Sequence, residues 1–81
     1  MTNRNLIMPD LGLDPNTPIR LSLWLARPGD SVETEQSLVE IVSGPLVVDL
    51  PSPADGTLIE RRIGEDQSVR PGDVLGVIRL D

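Results

Sequence analysis

Glu33 and Glu35 are the nearest this sequence comes to an acid–base pair, and they alternate with Thr34 and Gln36 in a polar stretch that reads as solvated surface. Asp30 and Asp73 recur in two Pro-Gly-Asp segments. Two single carboxylates in separate turns make a poor cage for calcium, so they read as turn caps. Arg61-Arg62 is a minimal basic step at a strand end, and the one place where contact with an acidic partner is expected. Trp24 is the sole aromatic residue. It is expected to pack over a secondary cluster or lie partly exposed rather than to stack a ligand. The rest of the reactive inventory is missing. There is no Cys, hence no disulfide framework, thiolate metal site or cysteine nucleophile. There is no His, the commonest general base and metal ligand. All seven cationic side chains are arginines, so the chain has no lysine. No nucleophile–base pair is visible. No catalytic residue, metal site or enzymatic activity is expected.

The elements that would position any site must come from a small chain. Its 81 residues allow one domain, and its net charge of -6 argues against a nucleic-acid or anionic membrane partner. With 38% hydrophobic and 1% aromatic residues, the core must be aliphatic. No apolar run approaches the roughly 20 residues that span a bilayer. The opening Met1-Thr2-Asn3-Arg4-Asn5 carries no apolar signal region, and a cytoplasmic location is expected. Residues 1–5 are read as a flexible tail and 6–81 as a single domain.

Pro and Gly punctuate the chain between short Leu-, Ile- and Val-rich runs, a pattern of strands rather than helices. In the run 19–26, Ile19, Leu21, Leu23 and Leu25 alternate with Arg20, Ser22, Trp24 and Ala26, so the four aliphatic residues are expected to face inward. Strands are also expected at 6–8, 38–42, 46–50, 57–61 and 74–80. Arg27-Pro28-Gly29-Asp30 and Arg70-Pro71-Gly72-Asp73 suit type II turns, and Ala54-Asp55-Gly56 is another turn. A shift of about 37 residues lays Leu21 on Leu58, Ser31-Val32 on Ser68-Val69, Leu38 on Leu75 and Ile41 on Ile78. Two similar halves of four short strands predict an all-β, pseudo-symmetric sandwich or flattened barrel.

Several segments, in order, resemble the lipoyl domains of 2-oxoacid dehydrogenase acyltransferases. They are Ile7-Met8-Pro9-Asp10-Leu11-Gly12, then Trp24 followed by Gly29-Asp30 and Val32, Leu38-Val39-Glu40-Ile41-Val42, the run from Asp49 to Gly56, and Val69-Arg70-Pro71-Gly72-Asp73-Val74-Leu75. Biotin-carrier domains share the fold, but the Met-Pro-Asp-Leu-Gly opening favours the lipoyl side. The resemblance implies a flattened eight-stranded barrel of two four-stranded antiparallel sheets. It also implies a lysine at the tip of a β-hairpin, joined by an amide to the cofactor that does the chemistry while the protein supplies placement.

Aligned on residues 49–53, the Asp-Lys-Ala turn of the resembled family falls on Gly44-Pro45-Leu46. Pro45 stands where the acceptor lysine would be, in a turn of Ser43, Gly44, Pro45 and Leu46, and no register shift finds another lysine. No cofactor is expected. Proline is disfavoured at the third position of a type I turn, because it pushes the preceding residue out of the helical region. Gly44 can absorb that constraint at positive φ. Two alternatives follow: Pro45 moves to the second position, or the Gly44–Pro45 bond is cis.

In lipoyl domains the loop after the first strand lies beside this turn and helps partner enzymes recognise the domain. The resemblance therefore implies one exposed end built from Leu13, Asp14, Val42, Pro45 and Leu46, apolar enough for protein contact; the alternative is that Leu13 and Leu46 turn inward and pack. The expected function is that of a free-standing lipoyl-like domain that cannot be lipoylated or biotinylated. It would act as a non-catalytic binding or regulatory module for an acyltransferase- or dehydrogenase-like complex or a biosynthetic enzyme. The alternative is an acyl or carboxyl carrier, as the resemblance alone implies. The chain ends at Asp81, and no linker or catalytic segment is expected to follow.

Overall fold

The computed structural model describes residues 2–81. Seven strands form: β1 (Asn3–Ile7), β2 (Ile19–Trp24), β3 (Ser31–Val32), β4 (Ser37–Ser43), β5 (Leu46–Pro51), β6 (Gly56–Arg61) and β7 (Val74–Leu80). They pair antiparallel in one sheet of order β1-β7-β6-β3 and another of order β2-β4-β5. The sheets stack as a flattened sandwich 39 × 19 × 18 Å in extent. The eighth strand of the expected scheme is reduced to a bridge, Arg20 to Ser68, at the edge of the three-stranded sheet.

The internal repeat sets the register. Arg20 pairs with Val42 and Leu21 with Ile41; 37 residues on, Thr57 pairs with Arg79 and Leu58 with Ile78. The irregularity between Leu21 and Leu23 recurs between Leu58 and Glu60. Ser31 pairs with Thr57 as Ser68 does with Arg20. The matched side chains Leu21/Leu58, Leu38/Leu75 and Ile41/Ile78 are all fully buried. Burial of each is worth about 1.5–3 kcal/mol relative to exposure.

Four turns also repeat. In residues 27–30, 33–36, 64–67 and 70–73 the first N–H donates to the side-chain oxygen of the fourth residue (Asp30, Gln36, Gln67, Asp73). The fourth N–H donates back to the first carbonyl. The third residue has positive φ in every case: Gly29, Glu35, Asp66 and Gly72. This is type II geometry closed by a side chain. Asp30 and Asp73 are therefore turn caps. The repeat partner of the 27–30 turn is 64–67, not the look-alike 70–73.

Three expectations are corrected. The tail assigned to residues 1–5 overlaps β1, whose Asn3 and Asn5 pair with Arg79 and Val77; Met1 lies outside the described residues. Strong pairing to β7 overrides the polar composition of that strand. Next, the irregularity after Leu21 is a bulge, which switches which face of the strand points inward. Leu23 and Leu25 are thus exposed, while Trp24 and Ala26 are buried. Trp24 is therefore a core residue rather than a satellite. Its indole N–H donates to the Ile63 carbonyl at 2.8 Å, and the Arg61 guanidinium lies 6.0 Å from its ring centre. Arg62 and Glu60 form a half-exposed ion pair at 3.2 Å, and Arg61 is exposed.

Candidate functional site

The repeat fails at one connection. β1 leads to β2 through eleven residues, 8–18, whereas the equivalent β5 leads to β6 through four, 52–55. Both connections start alike. Met8 exchanges backbone hydrogen bonds with Gly72 and Asp73, and Ser52 does so with Glu35 and Gln36. The short connection is then clamped, because the Thr34 N–H and hydroxyl both donate to Asp55 Oδ1, at 2.7 and 2.9 Å. These two bonds, the backbone one first, hold the Asp55 carboxyl below its ordinary pKa. The residue equivalent to Thr34 is Pro71, which has neither donor. There the long connection arches away and leaves a groove lined by Met8, Leu11, Leu13, Pro15, Val69 and Pro71.

The long loop is ordered by its own acids. Asp10 accepts from the Gly12 N–H, and Asp14 accepts from the Asn16 N–H and the Thr17 hydroxyl. This Asx-type bonding brings Thr17 to the tip of the β4–β5 hairpin. A Cβ added to Gly44 would lie 3.4 Å from Thr17 Cγ2. Loop and hairpin tip are thus in contact.

At that tip Ser43 and Leu46 form the closing pair around Gly44 and Pro45. Gly44 has φ +57°, and no peptide bond is cis among the described residues. Positive φ at the first central residue, with the fixed negative φ of proline at the second, is a type II′ hairpin turn. Neither alternative for accommodating Pro45 is adopted. It stays at the third turn position with a trans bond, and Gly44 supplies the conformation no other residue takes readily.

Of the residues assigned to this end, Pro45 and Leu46 are exposed and Val42 is half-buried. The hairpin brings these three together. Leu13 lies in the groove, and Asp14 is spent on holding the loop. Sequence reading missed Thr17, which makes the contact, and Val47, at 61% the most exposed large hydrophobic residue. Val47 was legible as the outward neighbour of Val42 once the two-residue turn was fixed. The tip itself carries no charged side chain, no amine and no thiol. Among the described residues no cluster of acids fit to hold a metal ion is found.

The biotin/lipoyl family model, described as "Biotin-requiring enzyme", matches residues 4–78. The chain is 34% identical over 71 residues to the dihydrolipoyllysine-residue acetyltransferase component of the pyruvate dehydrogenase complex of Corynebacterium glutamicum, covering 88% of this chain and 10% of that protein. It is 30% identical over 79 residues to the dihydrolipoyllysine-residue succinyltransferase component of the 2-oxoglutarate dehydrogenase complex of Escherichia coli, covering 98% of this chain and 19% of that protein. The chain thus spans less than a fifth of the length of either relative. The solution structure of the lipoyl domain of the Azotobacter vinelandii 2-oxoglutarate dehydrogenase complex shares the fold, with a TM-score of 0.74 at 23% identity over 93% of this chain and 94% of that one.

Proposed function

We infer that this chain, which belongs to the biotin/lipoyl family, is a lipoyl-like domain working without a prosthetic group, as a non-catalytic protein-binding or regulatory module. One observation carries the reading: Pro45 occupies the hairpin tip in a chain without lysine. An amide to lipoic acid or biotin needs a side-chain amine, and proline has none. The scaffold that would present such an arm is nonetheless kept, down to the two-residue turn. What the end offers is Pro45, Leu46 and Val47 beside an ordered loop, a surface suited to a protein partner. The partner class is an acyltransferase- or dehydrogenase-type assembly, or a biosynthetic enzyme that handles similar domains.

A second reading, an acyl or carboxyl carrier, is favoured by the dihydrolipoyllysine-residue components among the relatives. It requires an attachment chemistry other than a lysine amide. Intact-mass measurement after co-expression with a lipoate ligase and with a biotin ligase separates the two. The unmodified mass is expected, and a lipoyl or biotinyl increment defeats the first reading. The Gly44→Asp, Pro45→Lys double variant is expected to gain the lipoyl increment.

A further inference from the structure

The repeat allows position-by-position comparison of the two sheets' outer surfaces. Leu23 on β2 and Leu25 just after it, both exposed, stand where Glu60 on β6 and Arg62 just after it form an ion pair. Val42 and Val47, paired across β4 and β5, stand where Arg79 and Asn3 pair across β7 and β1. Glu40 and Asp49 form the next outward pair on β4 and β5, and neither makes an ion pair among the described residues. At these positions one sheet shows apolar residues around two carboxylates without ion-pair partners, where the other shows polar and paired groups; elsewhere Arg20 of the first sheet pairs with Asp66, and the second exposes Ile7 and Ile59.

The same contrast holds at the edges. β1 and β5 are equivalent edge strands. β1 presents Asn3, Arg4 and Asn5, and Arg4 donates to the Pro53 carbonyl at 3.3 Å. Charged and polar residues of this kind blunt a sheet edge. β5 presents Leu46, Val47, Val48 and Asp49. Because Ser43 and Leu46 close a two-residue turn, their pair is the hydrogen-bonded one, and the pairs alternate from there. The N–H and C=O groups of Val47 and Asp49 therefore point away from β4, into solvent.

We propose that the free edge of β5, with the outward side chains Val47 and Asp49, takes an extended basic and apolar segment of a partner protein by strand addition. Main-chain bonds to residues 47 and 49 would supply affinity. Charge complementarity selects the occupant. A valine or isoleucine suits the place beside Val47, and a lysine or arginine the place beside Asp49 and Glu40. A second copy of this chain is disfavoured, since it brings another Asp49 and another net charge of -6 to the same place. The proposal rests on the binding-module reading and names the chemistry of its partner.

The test uses the whole chain and an acetylated nine-residue peptide, Thr-Val-Thr-Lys-Thr-Val-Thr-Lys-Thr, whose valines and lysines share one face at the i, i+2 spacing of Val47 and Asp49, followed by amide chemical shifts. Shifts are expected at Val47 and Asp49. Val47→Pro removes an outward N–H while sparing the bonds to β4, and is expected to weaken binding at least tenfold. Asn3→Pro, the equivalent change on β1, is expected to leave binding unchanged. Asp49→Lys keeps the backbone donors and reverses the charge, and is expected to weaken binding even where the proline variant fails to fold. A peptide with glutamate in place of lysine is expected not to bind. The proposal is overturned by absent binding, by shifts centred on residues 8–18 or β1, by a Val47→Pro variant that folds and binds as well as the parent, or by self-association through β5. A covalent adduct in the mass measurement defeats the unmodified-domain reading alone, and a silent edge on an unmodified chain defeats this proposal alone.

Discussion

The connections after β1 and β5 leave equivalent strands, make the same first backbone bonds and land on equivalent strands, yet one takes eleven residues and the other four. The short one is drawn tight by Asp55 and Thr34 and serves only to turn the chain. The long one is held by Asp10 and Asp14, meets Pro71 where the other meets Thr34, and reaches the Gly44–Pro45 tip. Duplicated geometry builds the scaffold, and the asymmetry sets the end with the Gly44–Pro45 tip apart from its repeat.

The comparison is broken most severely at Gly56. The short connection brings the chain so near β7 that an added Cβ would overlap the Arg79 carbonyl oxygen, whereas the equivalent Ile19 carries a full side chain. Gly56→Ala is expected to cost several kcal/mol, in the range of severe overpacking, and to lower the urea midpoint steeply or abolish folding. A preserved midpoint would mean the two connections are not held as described. A middling effect is expected from replacing residues 9–18 with Pro-Ala-Asp, which keeps the buried Met8 and gives the long connection the length of the short one. Loop-closure entropy changes little with such a shortening, so stability should shift by about 1 kcal/mol. Faster amide exchange at Gly44 and Leu46 is the expected sign that the hairpin has lost its neighbour.

The smallest effect sharpens the clamp. The Asp55 carboxyl has its pKa lowered in the folded state by the two Thr34 bonds. Its contribution to stability is therefore full above the ordinary carboxylate range and is lost as pH falls through the lowered value. Asp55→Asn is expected to depress Tm slightly at pH 7, and the difference from the parent should close as pH drops below about 4, the ordinary aspartate pKa. A gap that stays constant down to pH 2 would remove charge from the explanation.

Most strands were legible because alternation and punctuation agree: 74–80 was placed end to end, and the hairpin strands to within a residue. The bulge after Leu21 was not. An extra residue leaves the apolar pattern intact while reversing its facing, so Leu23 and Leu25 read as core and Trp24 as packed over a secondary cluster or partly exposed. The pairing of the turns was hidden for another reason. Glu35 and Asp66 occupy positive-φ positions that sequence reading assigns to glycine, so two repeats of one turn carried no shared signature. At the candidate site, the absence of lysine and the place of Pro45 were plain from composition and order. The Thr17 contact was not, because it depends on how two acids fold a loop back.

The Leu80 N–H donates to the Thr2 carbonyl at 2.9 Å, in the register that Ser43 and Leu46 hold across the hairpin. The chain's entry and exit thus stand where the other half has a two-residue turn, one β7 length from the loop that touches Gly44. Topologically the molecule is a ring with one nick. Joining residue 81 directly to residue 1, which would supply the two turn residues, and opening the backbone between Gly44 and Pro45 would give a circular permutant of nearly unchanged contacts, suspended from the opposite pole.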